Sequence, residues 1–209
     1  MHFRKYLVGG IRKVKKVVKF GGSSLASAEQ FKKVGNIIRK EESRRYVIPS
    51  APGKRTPDDT KVTDMLYSCY GQAILGEDAE KDFEEQLDAI KERYNSIIRG
   101  LNLELSLDEE FKTIRTNFSK KIGRDYAASR GEYLNGIIMA AYLGYEFIDA
   151  AEVIVFDEDG NFDGDKTHEI LSARLENTER AVIPGLYGAK PDGSIQTFSR
   201  GGSDITGSI

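Results

Sequence analysis

Apolar positions along this chain change their spacing at a few sharp points, and those points delimit its elements. Residues 14–20 form a short β-branched run that ends in Gly21-Gly22-Ser23-Ser24, which predicts a strand followed by a glycine turn. Apolar side chains then recur at Phe31, Val34, Ile37 and Ile38, with Ser27 as N-cap and Gln30 as its capping-box partner, so a helix is predicted to about Lys40. Tyr46-Val47-Ile48, closed by Pro49, reads as a second strand. Strand, helix and strand in that order imply parallel strands joined by a right-handed crossover.

The stretch 50–60 contains Pro52, Gly53 and Pro57 and reads as a loop. Val62, Met65, Leu66, Cys69 and Ala73 mark the next helix, and Phe83, Leu87, Ile90, Tyr94 and Ile97 a long amphipathic one over 78–99. Phe111, Ile114 and Phe118 repeat the pattern over 105–121, giving an insertion-like helical layer whose charged faces are read as solvated. A helix from Gly123 to about Leu143 has a core stripe of Leu134, Ile137, Ile138 and Ala141. At 100° per residue this places Glu132 on the opposite face with Ala128, Ser129 and Gly136. Strands are expected over 146–148, 153–156 and 180–183, a helix over 167–177, and a hairpin turning at Lys190-Pro191-Asp192-Gly193 and returning over 195–198. The class expected is α/β: a mainly parallel sheet sandwiched by helices, with a helical insertion and a late hairpin. One domain spans 14–209, after a flexible lead-in over residues 1–13.

Composition narrows the function. With 31 basic and 33 acidic residues the net charge is −2, so no overall field argues for nucleic acid. The first twenty positions are basic (Arg4, Lys5, Arg12, Lys13, Lys15, Lys16, Lys19), but their apolar stretch 6–11 is broken by Gly9 and Gly10, which argues against a targeting peptide. No run approaches the roughly 18 apolar residues of a membrane span. The single cysteine, Cys69, excludes an internal disulfide framework and sits on an apolar stripe, where a structural thiol is expected; a reduced, cytoplasmic setting fits.

Three stretches place small residues beside a charge or hydroxyl. Lys19-Phe20-Gly21-Gly22-Ser23-Ser24 ends a strand and opens a helix, where backbone N–H groups can approach an anion and lysine adds positive charge. It has neither Walker-loop nor dinucleotide spacing. Ser129-Arg130-Gly131-Glu132 sets a carboxylate suited to an ammonium group among small neighbours. Ser199-Arg200-Gly201-Gly202-Ser203-Asp204 repeats the strand-end glycine pattern, with an arginine fork suited to a carboxylate. Alone, each also has a plain structural explanation: a turn, a solvated glutamate, a helix cap.

Together, the three resemble the aspartate kinases of the amino-acid-kinase superfamily. The resemblance runs from about Val14 to the last residue. Lys19-Phe20-Gly21-Gly22-Ser23-Ser24 is similar to the family's Lys-Phe-Gly-Gly-Thr/Ser-Ser, Ser129-x-Gly131-Glu132 to its Ser-x-Gly-Glu, and Arg200-Gly201-Gly202-Ser203-Asp204 to its Gly-Arg-Gly-Gly-Ser-Asp. Pro49-Ser50-Ala51-Pro52-Gly53 and Val62-Thr63-Asp64 are similar to its Ser-Ala loop and helix-opening threonine. The resemblance implies transfer of the ATP γ-phosphoryl group, with Mg2+, to the side-chain carboxylate of L-aspartate, the first step towards lysine, threonine and methionine. It implies that Lys19, Phe20, Gly21, Gly22 and Ser23 hold phosphate oxygens, with Lys19 and Asp204 catalytic. It also implies that Thr63, Glu132, Arg200, Gly201, Gly202 and Ser203 hold the substrate, Glu132 at the α-ammonium and Arg200 at the α-carboxylate.

Two departures stand against this pattern: Ser199 where the family has glycine, and an insertion over 54–61 ahead of Thr63. In the family, later segments supply a Thr-Asp-Pro-Arg-like nucleotide stretch and regulatory ACT domains, and the full-length parent is expected to be a homo-oligomer. The expectation is therefore a chain that keeps the acceptor side and lacks most of the donor side. A fragment that binds aspartate or phosphate without turnover, and a related amino-acid kinase, stay open as alternatives.

Overall fold

β1 (Lys16–Phe20) runs into a 3-10 turn, Gly22–Leu25, and α1 (Ala28–Arg39) starts where the Ser27 hydroxyl accepts from the Gln30 N–H at 3.4 Å. The computed structural model describes residues 14–199 and 201–209; the lead-in expected over residues 1–13, and Arg200, lie outside the described residues. The chain returns as β2 (Arg44–Pro49) and then builds α2 (Val62–Leu75), α3 (Glu80–Gly100), α4 (Asp108–Ser119) and α5 (Arg124–Leu143). β3 (Glu146–Phe147), α6 (Ala150–Val153), α7 (Gly164–Glu176) and β4 (Ala181–Val182) follow. An antiparallel hairpin, β5 (Tyr187–Ala189) with β6 (Ile195–Thr197), leads to α8 (Gly202–Ser208).

The sheet is parallel, in the order β1-β2-β4-β3. Its period of two sorts the side chains between two cores. Val47 and Val182, paired in register, face a core built from α1 to α5, whereas Tyr46, Ile48, Ala181 and Ile183 face a second core closed by α6, α7 and the hairpin. Helices thus cover both faces, as the α/β reading expects of a buried parallel sheet. No helix among the described residues is long and apolar enough to cross a membrane.

The apolar stripes of α3 and α4 are buried as their spacing predicts: Phe83, Leu87, Ile90, Tyr94 and Ile97 on one helix, Phe111, Ile114 and Phe118 on the other. Cys69 is buried with its thiol 3.7 Å from the Phe83 carbonyl, and burial, then the charge of Glu84, pushes that thiol up to about 12. It is inert packing.

Three expectations need correction. The stretch 153–156 is not a strand: Asp149 accepts from the Ala151 N–H at 3.0 Å and caps α6 through Val153, leaving only isolated bridges at Val155 and Phe156. Ile37 is 45% exposed, because the buried arc of α1 runs through Phe31, Val34, Gly35 and Ile38 instead. On α5, Ala141 is exposed and Ile137 only half-buried, while Ala128, Ser129, Glu132 and Gly136 on the supposedly outer face are buried. This helix packs on both sides, so it has no outer face over most of its length.

The ring of Phe118 lies within 5.2 to 6.5 Å of the rings of Tyr70, Phe83 and Tyr126, centroid to centroid, and ties α2, α3, α4 and α5 into one cluster. Phe118→Ala is expected to lower unfolding free energy by about 3–5 kcal/mol in denaturant titration. A loss below 1 kcal/mol would show that the helical layer does not depend on this ring.

Candidate active site

The glycine loop after β1 and the loop after β2 lie side by side at the carboxyl ends of adjacent parallel strands, where open α/β sheets form their ligand crevice. Ser50 N–H donates to the Phe20 carbonyl at 3.0 Å, and Gly53 N–H to the Gly22 carbonyl at 2.8 Å. The backbones touch at that point. A Cβ on Gly22 would stand 2.7 Å from the Ala51 carbonyl oxygen, and one on Gly53 would stand 2.6 Å from the Gly22 carbonyl carbon. Only glycine fits at either position.

A cavity of about 450 Å3 opens beside this contact, lined by Gly22, Ser23, Ser50, Lys61, Thr63 and Glu132 among others. Thr63 reaches it from the first turn of α2 and Glu132 from the middle of α5. α5 can lie this close because a Cβ on Gly131 would already be 2.8 Å from the Ala51 side chain.

Glu132 is 5% exposed, and its Oε2 has no hydrogen-bond partner among the described residues. Burial pushes its carboxyl up to about 7, against the backbone N–H groups of Ala51 and of Glu132 itself and the charge of Lys19. A buried acceptor with nothing to accept from is costly, and it marks a place where a donor belongs. Three residues on, Asn135 donates through Nδ2 to the Ser50 carbonyl at 2.6 Å, and its Oδ1 is likewise buried and unpaired.

The third stretch closes the site from α8. Lys19 Nζ lies 2.9 Å from Asp204 Oδ1, and Ser50 Oγ donates to Ser203 Oγ at 3.2 Å. Because the Asp204 side chain is 71% exposed, this ion pair is screened and orients the lysine more than it stabilises the fold. Gly201 takes a left-handed conformation ahead of α8 and Gly202 is buried against Leu186. Phe20 turns its ring into the first core and offers the site only its backbone, while Gly21 does not line the cavity.

The structure therefore gathers Lys19, Gly22, Ser23, Thr63, Glu132, Ser203 and Asp204 from four separate segments. Two residues escaped the sequence reading. Asn135 sits three positions from Glu132, one turn along the same helix, and a lone amide amid small and apolar residues was the available signal. Arg93 looks like part of a solvated charged face, yet it is buried with Nη2 on the carbonyls of Ala26 (3.3 Å) and Gly53 (2.7 Å). Its position three residues after Ile90 and four before Ile97 was the clue.

Comparison with known proteins settles the lineage, because a match to the amino acid kinase family runs over residues 15–209. The chain belongs to the amino acid kinase family. Aspartokinase 3 of Bacillus subtilis is 38% identical over 208 residues, covering 93% of this chain and 45% of that protein. Aspartokinase 1, chloroplastic, of Arabidopsis thaliana is 31% identical over 214 residues, covering 91% and 36%. The crystal structure of Clostridium acetobutylicum aspartate kinase superposes with a TM-score of 0.85 at 48% identity, over 92% of this chain and 43% of that one. E. coli aspartokinase III, solved with aspartate and ADP, shares the fold at a TM-score of 0.74 and 22% identity, over 92% and 45%. The chain thus spans less than half the length of each of these family members.

Glu132 carries a stability cost whose sign follows from its titration. Unfolded, its carboxyl ionises near 4.5; folded and unliganded, it keeps its proton to about 7. The folded state binds more protons between these values, so stability falls as pH rises from 4.5 to 7 and the deficit is complete above 7. Glu132→Gln is expected to stabilise the unliganded protein by roughly 2–3 kcal/mol at pH 8 and by little at pH 4. Thermal melts across that range check it, and a gain independent of pH would contradict the assignment.

Proposed function

We propose that this site belongs to an aspartate kinase and transfers the γ-phosphoryl group of ATP to the side-chain carboxylate of L-aspartate, giving 4-phospho-L-aspartate. The observation that carries the reading is the buried, unpartnered Glu132 carboxylate oxygen in a cavity that the glycine loop also lines. A carboxylate that burial makes reluctant to ionise is suited to an ammonium group, whose charge and N–H donors restore the ionised form. The kinship with aspartokinases, one of them solved with aspartate and ADP, supports the same acceptor and donor.

In this reading the substrate α-ammonium sits on Glu132 and its α-carboxylate on Arg200, while Thr63 and Ser203 fix the side chain. The β-carboxylate oxygen attacks the γ-phosphorus as the bond to the β-phosphate oxygen breaks and ADP leaves. Such a transfer needs alignment and charge neutralisation more than acid–base chemistry. Lys19 neutralises charge on the moving group, Asp204 holds Lys19 in place, and the backbone of Phe20, Gly21, Gly22 and Ser23 supports phosphate oxygens. Among the described residues no group of three or more His, Cys, Asp or Glu could hold a metal ion. The Mg2+ implied by the resemblance would depend on the nucleotide for most of its ligands and would supply charge neutralisation at the phosphates.

Trapping the acyl phosphate as a hydroxamate tests the reaction directly. Aspartate binding without any hydroxamate from ATP would favour a binding fragment over a kinase. Lys19→Ala is expected to lower turnover by roughly 100-fold or more while aspartate affinity, measured by calorimetry, moves little. An unchanged turnover number removes Lys19 from the mechanism. Glu132→Gln is expected to raise the aspartate KM by about tenfold or more, and an unaltered KM would leave the cavity without its ammonium site.

A further inference from the structure

Arg93 on α3 is 4% exposed, and its guanidinium reaches three separate pieces of backbone and loop. Nη2 donates to the carbonyls of Ala26, at 3.3 Å, and Gly53, at 2.7 Å, while Nη1 lies 2.6 Å from Asp59 Oδ2. Ala26 closes the turn that follows the glycine loop. Gly53 belongs to the loop after β2, and Asp59 to the inserted stretch 54–61.

Asp59 also collects the Arg55 side chain, through Nε at 2.8 Å and Nη2 at 2.9 Å, and the Arg55 backbone N–H at 2.9 Å. The Arg55 side chain first, then its backbone N–H and Arg93, hold the Asp59 carboxyl far below the usual carboxylate range. The inserted stretch is therefore tied down, and it carries Lys54 and Lys61 to the cavity wall.

A guanidinium is rigid and planar, so carbonyls that share one of its nitrogens are held at a fixed spacing. Here that spacing links the turn after the glycine loop to the loop after β2, and both loops line the same cavity. Loosening it by an ångström would misalign acceptor and phosphorus and admit water between them.

We propose that Arg93 is a positioning residue for phosphoryl transfer: by pinning the Ala26 and Gly53 carbonyls and Asp59, it holds the glycine loop and the loop after β2 in register around the cavity in which the phosphoryl group moves and keeps water out. This rests on the reading of the cavity as a phosphoryl-transfer site. In the coupled reaction the carboxylate oxygen takes the phosphoryl group and ADP departs; in the uncoupled one a water oxygen takes it, giving inorganic phosphate and ADP.

The test is the ratio of ADP released to hydroxamate trapped, measured in the protein with saturating aspartate. A ratio near one is expected for the unaltered chain. Arg93→Lys keeps a buried cation but has no second arm to hold Asp59 while the first holds the two carbonyls, and its ratio is expected to rise about threefold or more. Misfolding lowers both products together and leaves the ratio unmoved, so a purely structural role is separated from a positioning one. Asp59→Asn frees the guanidinium from its charge partner and is expected to shift the ratio the same way by less; it carries the test if Arg93→Lys does not fold. A ratio that stays at one in the folded variants overturns the role of Arg93 and leaves the kinase reading standing. Absence of hydroxamate from the unaltered protein overturns that reading and the inference with it.

Discussion

Helix α5 lies between the sheet and the helical layer with almost no side left for water, and this constraint organises the rest of the structure. A helix enclosed on all sides approaches its neighbours closely only where its own side chains are small. Gly131 meets Ala51, and Gly136 meets Phe147 and Pro184. Tyr94 from α3 donates its hydroxyl to the Gly131 carbonyl at 2.8 Å, fixing the helix from above. A glutamate in this setting has been taken out of water by its surroundings, and its perturbed ionisation is a consequence of where the helix runs.

Much of the fold was legible because its signals are local. The β-branched run before Gly21, the 3.6-residue spacing in α3 and α4, and the Pro-Asp-Gly turn of the hairpin each act over a few residues and survive in the folded chain. The errors arise where a local pattern has two solutions. On α5 the stripe through Leu134 and Ile138 is real, but the opposite face is also buried, and small residues give a weak signal for burial. At 153–156 the β-branched residues suggested a strand, while the cap at Asp149 and two alanines favoured a helical turn first.

The site was legible as pieces and not as an arrangement. Glycines beside Lys19 and beside Ser203 announce backbone that must approach something closely, and that is readable one segment at a time. Nothing in the spacing says that Lys19 meets Asp204 or that Ser50 meets Ser203; those pairs exist because the antiparallel hairpin delivers α8 against the ends of the adjacent parallel strands β1 and β2. Arg93 was hidden for a different reason. On a helix rich in charge, one buried arginine differs from its solvated neighbours only by its phase against the apolar stripe.

The abutment of Gly22 and Gly53 has a consequence for how this region can vary. At this point the two loops meet backbone to backbone, so their separation there is measured in peptide units, with no side chain at the contact itself to lengthen, shorten or repack. Most protein contacts tolerate drift because one partner can shrink while the other grows. This one works as a ruler without adjustable marks: each glycine prohibits change in the other, and mutation is free to explore only the residues around them.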